Sequence, residues 1–424
     1  MTLNRRDFLK ITGAAAASGA LYGCAGATKA NGNVVVIGGG FGGATAAKYI
    51  RLWSQGNIDV TLIERNPQFV SCPMSNRVIG GMAPFDTLIQ SYDGLKRHGI
   101  RLVQGVAVAV DATQSTVRLA DGQTFSYDRL IVSPGIDFLW DSVPGLTPEL
   151  AETKFPHAWK AGPQTIALRQ QLEAMRDGGV YAITIPKAPF RCPPGPYERA
   201  SVVAHYLKTH KPKSKVLVLD ANEDIVSKKG LFLKAWSDLY KGLLEYRPSQ
   251  TISGLDAQTN TLRFEFADPL RADVLNIIPA QAAGGIARQA GLITANNRWC
   301  GIDWRTMEST AQKDIHVLGD ATLAATAMPK SAHMTTQHAK IAAAAIVNLI
   351  NGQPAPDPMV IANTCYSFVN DKSVVHIASV HAYDAAEKTY KPVPGSGGLS
   401  SAPNELEGEF ALAWAKNIWA DVLG

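Results

Sequence analysis

A β-branched run, Asn33–Gly38, passes directly into Gly38-Gly39-Gly40-Phe41-Gly42-Gly43, and this junction restricts the fold more than any other stretch of the chain. A helical run, Ala44–Trp53, follows it. In a Gly-x-Gly-x-x-Gly turn between strand and helix, Gly38 permits the tight bend and Gly40 lets backbone approach a pyrophosphate. Gly43 then packs helix against strand. About 20 residues on, the strand Asp59–Glu64 ends in an acid suited to a ribose hydroxyl. A glycine-rich turn without ligand would explain the glycines but not Glu64.

Two later segments make the dinucleotide an FAD. Leu130-Ile131-Val132-Ser133-Pro134-Gly135 resembles the strand and turn that re-enter the nucleotide domain in flavin disulfide reductases. Ile315–Ala321 resembles their later flavin motif, with Gly319 for close backbone approach and Asp320 for the ribityl chain. With Phe41 and Arg65 these positions form the expected FAD-binding set. A two-nucleotide flavoenzyme would repeat the glycine turn after the strand Val180–Ile185. This chain instead has Pro186-Lys187-Ala188-Pro189-Phe190-Arg191-Cys192-Pro193-Pro194-Gly195-Pro196. Prolines donate no N–H, so this loop builds no amide cradle and no NAD(P)H is expected.

Strand and helix alternate along most of the chain. Strands are expected over Arg101–Val110, Thr116–Leu119, Arg129–Ser133, Lys215–Asp220, Val274–Ile278 and Ile315–Leu318, with a meander over Gln250–Phe266. Helices are expected over much of His157–Gly179, then Tyr197–Thr209, Ser331–Ile350 and the C-terminal end. The pattern predicts an α/β protein: two Rossmann-like three-layer domains of the glutathione-reductase type plus a C-terminal α+β domain. The FAD domain is discontinuous, residues 31–155 and 281–350. Residues 156–280 form the second domain, and 351–424 an interface domain.

Asn4-Arg5-Arg6-Asp7-Phe8-Leu9-Lys10 before an Ala/Gly-rich stretch resembles a twin-arginine export signal, expected over residues 1–30. Leu21-Tyr22-Gly23-Cys24 is an imperfect lipobox, so a lipid on Cys24 stands beside ordinary cleavage before about Ala30. The formal charge is +5, of which the leader supplies three through Arg5, Arg6, Lys10 and Lys29 against Asp7. About +2 remains on a mature chain of about 390 residues, too little to point to nucleic acid. No run reaches the roughly 20 apolar residues of a membrane span, and no metal-ligand spacing occurs. The expected location is periplasmic, where disulfides persist.

Five cysteines occur, four of them beyond the leader, and four allow three complete pairings. Cys72, in Phe69-Val70-Ser71-Cys72-Pro73-Met74, follows the ribose-binding strand; it is either a flavin thioether or a small buried hydrophobe. A Cys192–Cys365 bridge would join two domains, either as a staple worth about 4–5 kcal/mol in the chain-entropy picture or as a labile redox couple. Cys300 reads as an apolar filler. Glu198 is either a proton acceptor beside the bridge or a helix-start acid with Arg199 as its solvated neighbour. Lys330 and His333 open the long Ala-rich helix, where a positive group favours reduced flavin, or they are ordinary first-turn residues. Phe410, Trp414, Ile418 and Val422 recur every four residues as core, as a wall beside the flavin, or as a membrane-surface stripe.

Taken together, Val35–Lys48, Tyr92–Leu95, Pro156–Gly162, Ala188–Ser201, Gly319-Asp320, Met328–Ser331 and Asn363–Tyr366 resemble the flavoprotein subunit of flavocytochrome c sulfide dehydrogenase from about Asn33 to the C-terminus. The resemblance implies an 8α-S-cysteinyl FAD on Cys72, a redox-active Cys192–Cys365 disulfide, help from Glu198, and Trp414 near the flavin. It also implies a c-type cytochrome subunit or soluble cytochrome c as partner. Ser71–Met74, Thr335–His338 and a shortened loop after Lys229 depart from the family pattern.

The expected activity is oxidation of hydrosulfide to sulfur or polysulfide, with electrons passing to the cytochrome. No Cys-x-x-Cys-His occurs, so a haem must come from elsewhere. The rival expectations are a membrane-associated sulfide:quinone oxidoreductase, an enzyme acting on another small sulfur compound, and a flavoprotein scaffold with a purely structural bridge.

Overall fold

The computed structural model describes residues 31–424; the export signal and Cys24 lie outside the described residues. A five-stranded parallel sheet runs in the order Ile315–Val317, Arg129–Val132, Gly32–Ile37, Ile58–Glu64, Arg101–Gln104. Its central strand buries Val34, Val35 and Val36 completely, as a parallel strand covered on both faces must. The helices Phe41–Trp53 and Ala332–Ile350 pack together beside it. Buried Ala339, Ala342, Ala343 and Ala345 let the second helix lie close, and Ser331 caps its start by accepting the Met334 N–H at 3.0 Å.

A second, four-stranded parallel sheet runs Leu244–Arg247, Lys215–Asp220, Val180–Ile185, Val274–Ile277. The helix Gly195–His210 leaves the first crossover at the proline-rich turn. The C-terminal part is antiparallel: Ile361–Phe368 pairs with Val374–Asp384, which pairs with Thr389–Pro392. The final helix, Glu405–Leu423, is clamped to the FAD-side helices. Lys48 donates to the carbonyls of Ala420 and Asp421 at 3.1 and 3.0 Å, and Lys340 meets Asp421 at 2.9 Å. The architecture is the mixed α/β arrangement with parallel sheets that the alternation of elements implied.

Several boundaries differ from expectation. Arg101–Val110 is two strands, not one: Arg101–Gln104 joins the parallel sheet, and Ala107–Asp111 pairs antiparallel with Thr116–Leu119. The chain turns at Gly105, where any Cβ would lie 2.8 Å from Leu119 Cδ1. The helix expected across His157–Gly179 is confined to Pro163–Ala174. Upstream, the carbonyls of His157 and Ala158 accept from Arg199 at 2.7 and 2.6 Å, and that of Pro156 accepts from Asn276 at 2.6 Å, so this stretch is held open. The segment after Lys229 is a helix, Lys229–Leu239.

Candidate active site

The nucleotide cradle follows from backbone geometry. Gly38 has φ +95° with Ser133 O 2.3 Å from where a Cβ would sit, and a Cβ on Gly43 would stand 1.8 Å from Gly38 O. Gly40 differs: nothing lies within 4 Å of its Cβ position. It precedes the 13-residue helix Phe41–Trp53, which has no side-chain cap, so the first-turn N–H groups are open to an anion. Phe41 meets Phe69 edge-on with centroids 5.0 Å apart. Glu64 accepts the N–H of Gly39 at 2.7 Å and of Asn66 at 2.9 Å, which fixes its carboxylate beside the turn. Arg65 is exposed at the strand end.

Pro134 and Gly135, the latter at φ +65°, leave the strand Arg129–Val132, and Gly319 turns at φ +68° against Thr335. Beyond it, Asp320 Oδ1 is buried without a hydrogen-bond partner. Desolvation raises this carboxyl, and a hydroxyl-bearing chain would satisfy it. Lys330 does not project from the helix start as an isolated charge: it is buried, donates to the carbonyls of Asp320 (2.9 Å) and Thr322, and lies 3.8 Å above the Trp299 ring. Burial brings its ammonium down to about 8. Its place is therefore to hold the Asp320 turn. The open Gly40 site, the orphaned Asp320 oxygen and the fixed Glu64 fit an FAD.

Cys72 sits between the strand Phe69–Val70 and the short helix Ser75–Ile79, accepting the Ala161 N–H at 3.4 Å. The Arg191 guanidinium lies among Cys72, Asp320 and Cys192 and so joins the cofactor side of the site to Cys192. Cys72, Cys192, Cys300 and Cys365 are all free thiols in this structure. Cys300 is fully buried, with its thiol pushed up to about 12 by desolvation.

Cys192 occupies the left-handed region at φ +55°, an uncommon posture for a side-chain-bearing residue, and its N–H donates to Lys330 O at 2.8 Å. Cys365 comes from the strand Ile361–Phe368 of the C-terminal sheet and interacts electrostatically with Cys192. Asn363 Nδ2 donates to Cys365 Sγ at 3.3 Å. Glu198, in the first turn of Gly195–His210, accepts from Phe368 N at 3.0 Å and from Asn76 Nδ2 at 2.9 Å. Desolvation raises the Glu198 carboxyl, and desolvation with the Cys365 charge pushes the Cys192 thiol up to about 12.

His333 accepts the Thr364 N–H at 3.1 Å, and Trp414 lies 6.1 Å from both the His333 and Tyr366 rings. On the last helix Ile418 and Val422 are core while Phe410 is half exposed, so the four-residue stripe divides between core and surface.

Arg199 is not a solvated neighbour. It is buried and spends its guanidinium on Asn76, Asn276 and the carbonyls of His157 and Ala158. It packs 5.0 Å over Trp159 and carries Glu198's helix into the core. Lys228 was not singled out by sequence at all. It is buried at φ +57° and donates to Cys365 O at 2.8 Å, Ser367 Oγ at 2.9 Å and Val375 O at 2.9 Å. Desolvation lowers it to about 8, against the pull of Cys365 and Glu198. Its only sequence signal is a lysine before a helix start, which many surface loops share.

Two segments match family models described as the central region of the sulfide dehydrogenase [flavocytochrome c] flavoprotein chain (165–279) and the flavocytochrome c sulphide dehydrogenase flavin-binding region (356–423). Residues 32–164 match pyridine nucleotide-disulphide oxidoreductase, and residues 2–22 the twin-arginine translocation signal sequence, which supports export by that route. The sulfide dehydrogenase [flavocytochrome c] flavoprotein chain of Chlorobaculum thiosulfatiphilum is 58% identical over 45 residues, covering 11% of this chain and 92% of that sequence. The mitochondrial sulfide:quinone oxidoreductase of Dictyostelium discoideum is 21% identical over 332 residues, 76% of this chain and 72% of that one. The solved sulfide:quinone oxidoreductase of Aquifex aeolicus shares the fold, with TM-score 0.74 and 18% identity over 92% and 91% of the two chains. The segments matched by the two family models include Cys192 and Glu198 in one and Cys365 in the other, and the chain belongs to the flavocytochrome c sulfide dehydrogenase flavoprotein family.

Proposed function

We propose that this protein is an exported, FAD-dependent oxidoreductase that oxidises hydrosulfide through a Cys192–Cys365 disulfide, with the FAD tethered to Cys72 by an 8α thioether. The observation that carries the reading is the convergence of Cys365 and Glu198 on Cys192, in the loop where prolines replace the second-domain glycine turn.

Each residue has a distinct task. Arg191, Arg199 and Lys228 face Cys192 alongside the Glu198 carboxylate and offer positive partners to an entering anion such as HS⁻. The bridge takes the attack. Glu198, held by two donors and with its affinity for a proton raised by burial, accepts the proton that hydrosulfide releases. Asp320, Glu64 and the Gly38–Gly43 turn hold the FAD, and Trp414 with Tyr366 walls the cysteine side. When bound, FAD supplies a two-electron acceptor able to return electrons singly, which suits a c-type cytochrome subunit or soluble cytochrome c in the periplasm.

A sulfide:quinone oxidoreductase reading is favoured by one feature, the exposed Leu406, Phe410 and Leu412 on the final helix. No described helix is long and apolar enough to cross a membrane. Assaying the purified protein with sulfide and either cytochrome c or a soluble quinone decides between the acceptors. Cytochrome reduction supports the proposal; quinone reduction alone overturns the cytochrome assignment.

A further inference from the structure

The two sulfurs of the proposed bridge are not equivalent. Donors gather on Cys365. Asn363 Nδ2 reaches its Sγ at 3.3 Å, and the amide is oriented for this because its oxygen accepts from Ser331 Oγ at 2.6 Å. The thiol's own contact to that same oxygen is longer, 3.7 Å. Lys228 then brings a buried ammonium onto the Cys365 carbonyl at 2.8 Å. That ammonium has no carboxylate within ion-pair distance among the described residues; its partners are two carbonyls and a hydroxyl. Positive charge is thus held beside Cys365 by neutral hydrogen-bond partners, with Glu198 and Glu407 acting on it from farther off.

Cys192 is set differently, although Lys228 acts on it too. Its strained backbone places the sulfur against Gly195, where a Cβ would stand 2.9 Å from Cys192 Sγ, and Glu198 adds a like charge to any thiolate formed there. Arg191 on the same loop faces both Cys192 and Cys72. Glu198 also faces Cys365, whose thiol burial raises, and Glu407 and His333 reach it through Lys228 and the Thr364 N–H respectively.

We infer that Lys228 and Asn363 are positioning residues that make Cys365 the leaving sulfur, so that hydrosulfide attacks Cys192. This rests on the redox reading of the bridge above. A bond forms between the hydrosulfide sulfur and Cys192 Sγ, and the Cys192–Cys365 bond breaks. Its electron pair leaves on Cys365 as thiolate; the incoming sulfur is oxidised to a persulfide on Cys192, and its proton passes to Glu198. A disulfide opens toward the sulfur that better bears negative charge.

The test uses the oxidised holoenzyme. Digestion without reduction first establishes whether Cys192 and Cys365 are linked. The enzyme is then mixed anaerobically with one equivalent of sulfide, quenched with iodoacetamide before the flavin bleaches, and mapped by mass spectrometry. The extra sulfur is expected on Cys192, with Cys365 alkylated as a plain thiol. Cyanide, which leaves a stable thiocyanate on the attacked sulfur, should mark Cys192 as well. An extra sulfur or thiocyanate on Cys365 overturns this inference and leaves the redox reading intact, whereas finding no bridge overturns both.

The role of Lys228 is read separately from the pH dependence of Cys365 alkylation in reduced protein. Lys228→Met should slow alkylation at neutral pH about tenfold and move the midpoint upward, and Lys228→Arg should restore it. An unchanged midpoint in a folded Lys228→Met protein would remove Lys228 from the scheme.

Discussion

The ammonium of Lys228 donates to the carbonyl oxygen of Cys365 at 2.8 Å, across 137 positions of sequence. That contact joins the second parallel sheet's outgoing loop to the strand of the C-terminal sheet that carries Cys365. In the proposed reading the chemistry lies at a seam between units, each of which supplies one sulfur.

Glu198→Gln keeps an oxygen for the Phe368 N–H and removes the proton acceptor. Sulfide-driven flavin reduction should slow roughly 100-fold with little change in thermal midpoint. Stopped-flow absorbance reads the first and a melting curve the second. A rate equal to that of the unaltered protein would leave Glu198 as a helix-start acid only.

Cys72→Ser should bind flavin without tethering it. Acid precipitation of the unaltered protein is expected to give a yellow pellet whose flavin peptide contains Cys72, and the variant a colourless pellet with yellow supernatant. A colourless pellet from the unaltered protein would refute the thioether.

Gly43→Ala would force a Cβ to within 1.8 Å of Gly38 O. The expected cost is about 1–3 kcal/mol of stability, the usual penalty for overpacking, together with loss of flavin during purification. Flavin-to-protein absorbance ratio and melting temperature check it. Gly40→Ala, with nothing near its Cβ, should fold normally and lose flavin affinity alone.

His157, His316 and His338 are buried, and desolvation lowers them to about 3, 4 and 3. The unfolded chain takes up these protons near its ordinary value of about 6.5, before the folded protein does. Stability is therefore complete above that value and falls as the pH drops toward the folded values, by up to about 1.4 kcal/mol per pH unit for each histidine. His338→Leu should lose less of its thermal midpoint between pH 7 and pH 5 than the unaltered protein. An identical loss would show that His338 takes no part in acid sensitivity.

Much of the fold was legible because its signals are local. Continuous β-branched runs such as Val34–Ile37 and Ile183–Ile185 belong to parallel strands, and the glycine at Gly43 is demanded by the nearby Gly38 carbonyl. Arg199 and Lys228 were illegible because their partners lie far off in sequence: Asn76 and Asn276 for one, Cys365, Ser367 and Val375 for the other. A charge adjoining a helix reads as solvated until the tertiary fold shows the carbonyls that receive it. The break at Gly105 and the open stretch at His157–Gly162 were missed likewise, through packing against Leu119 and Arg199.

The most direct trial of the account is anaerobic titration of purified Cys192→Ser protein with sulfide while the flavin absorbance is followed. The account predicts that the variant retains its flavin and stays yellow, while the unaltered protein bleaches. Bleaching of the variant at the unaltered rate would show that the flavin is reduced without the Cys192–Cys365 couple.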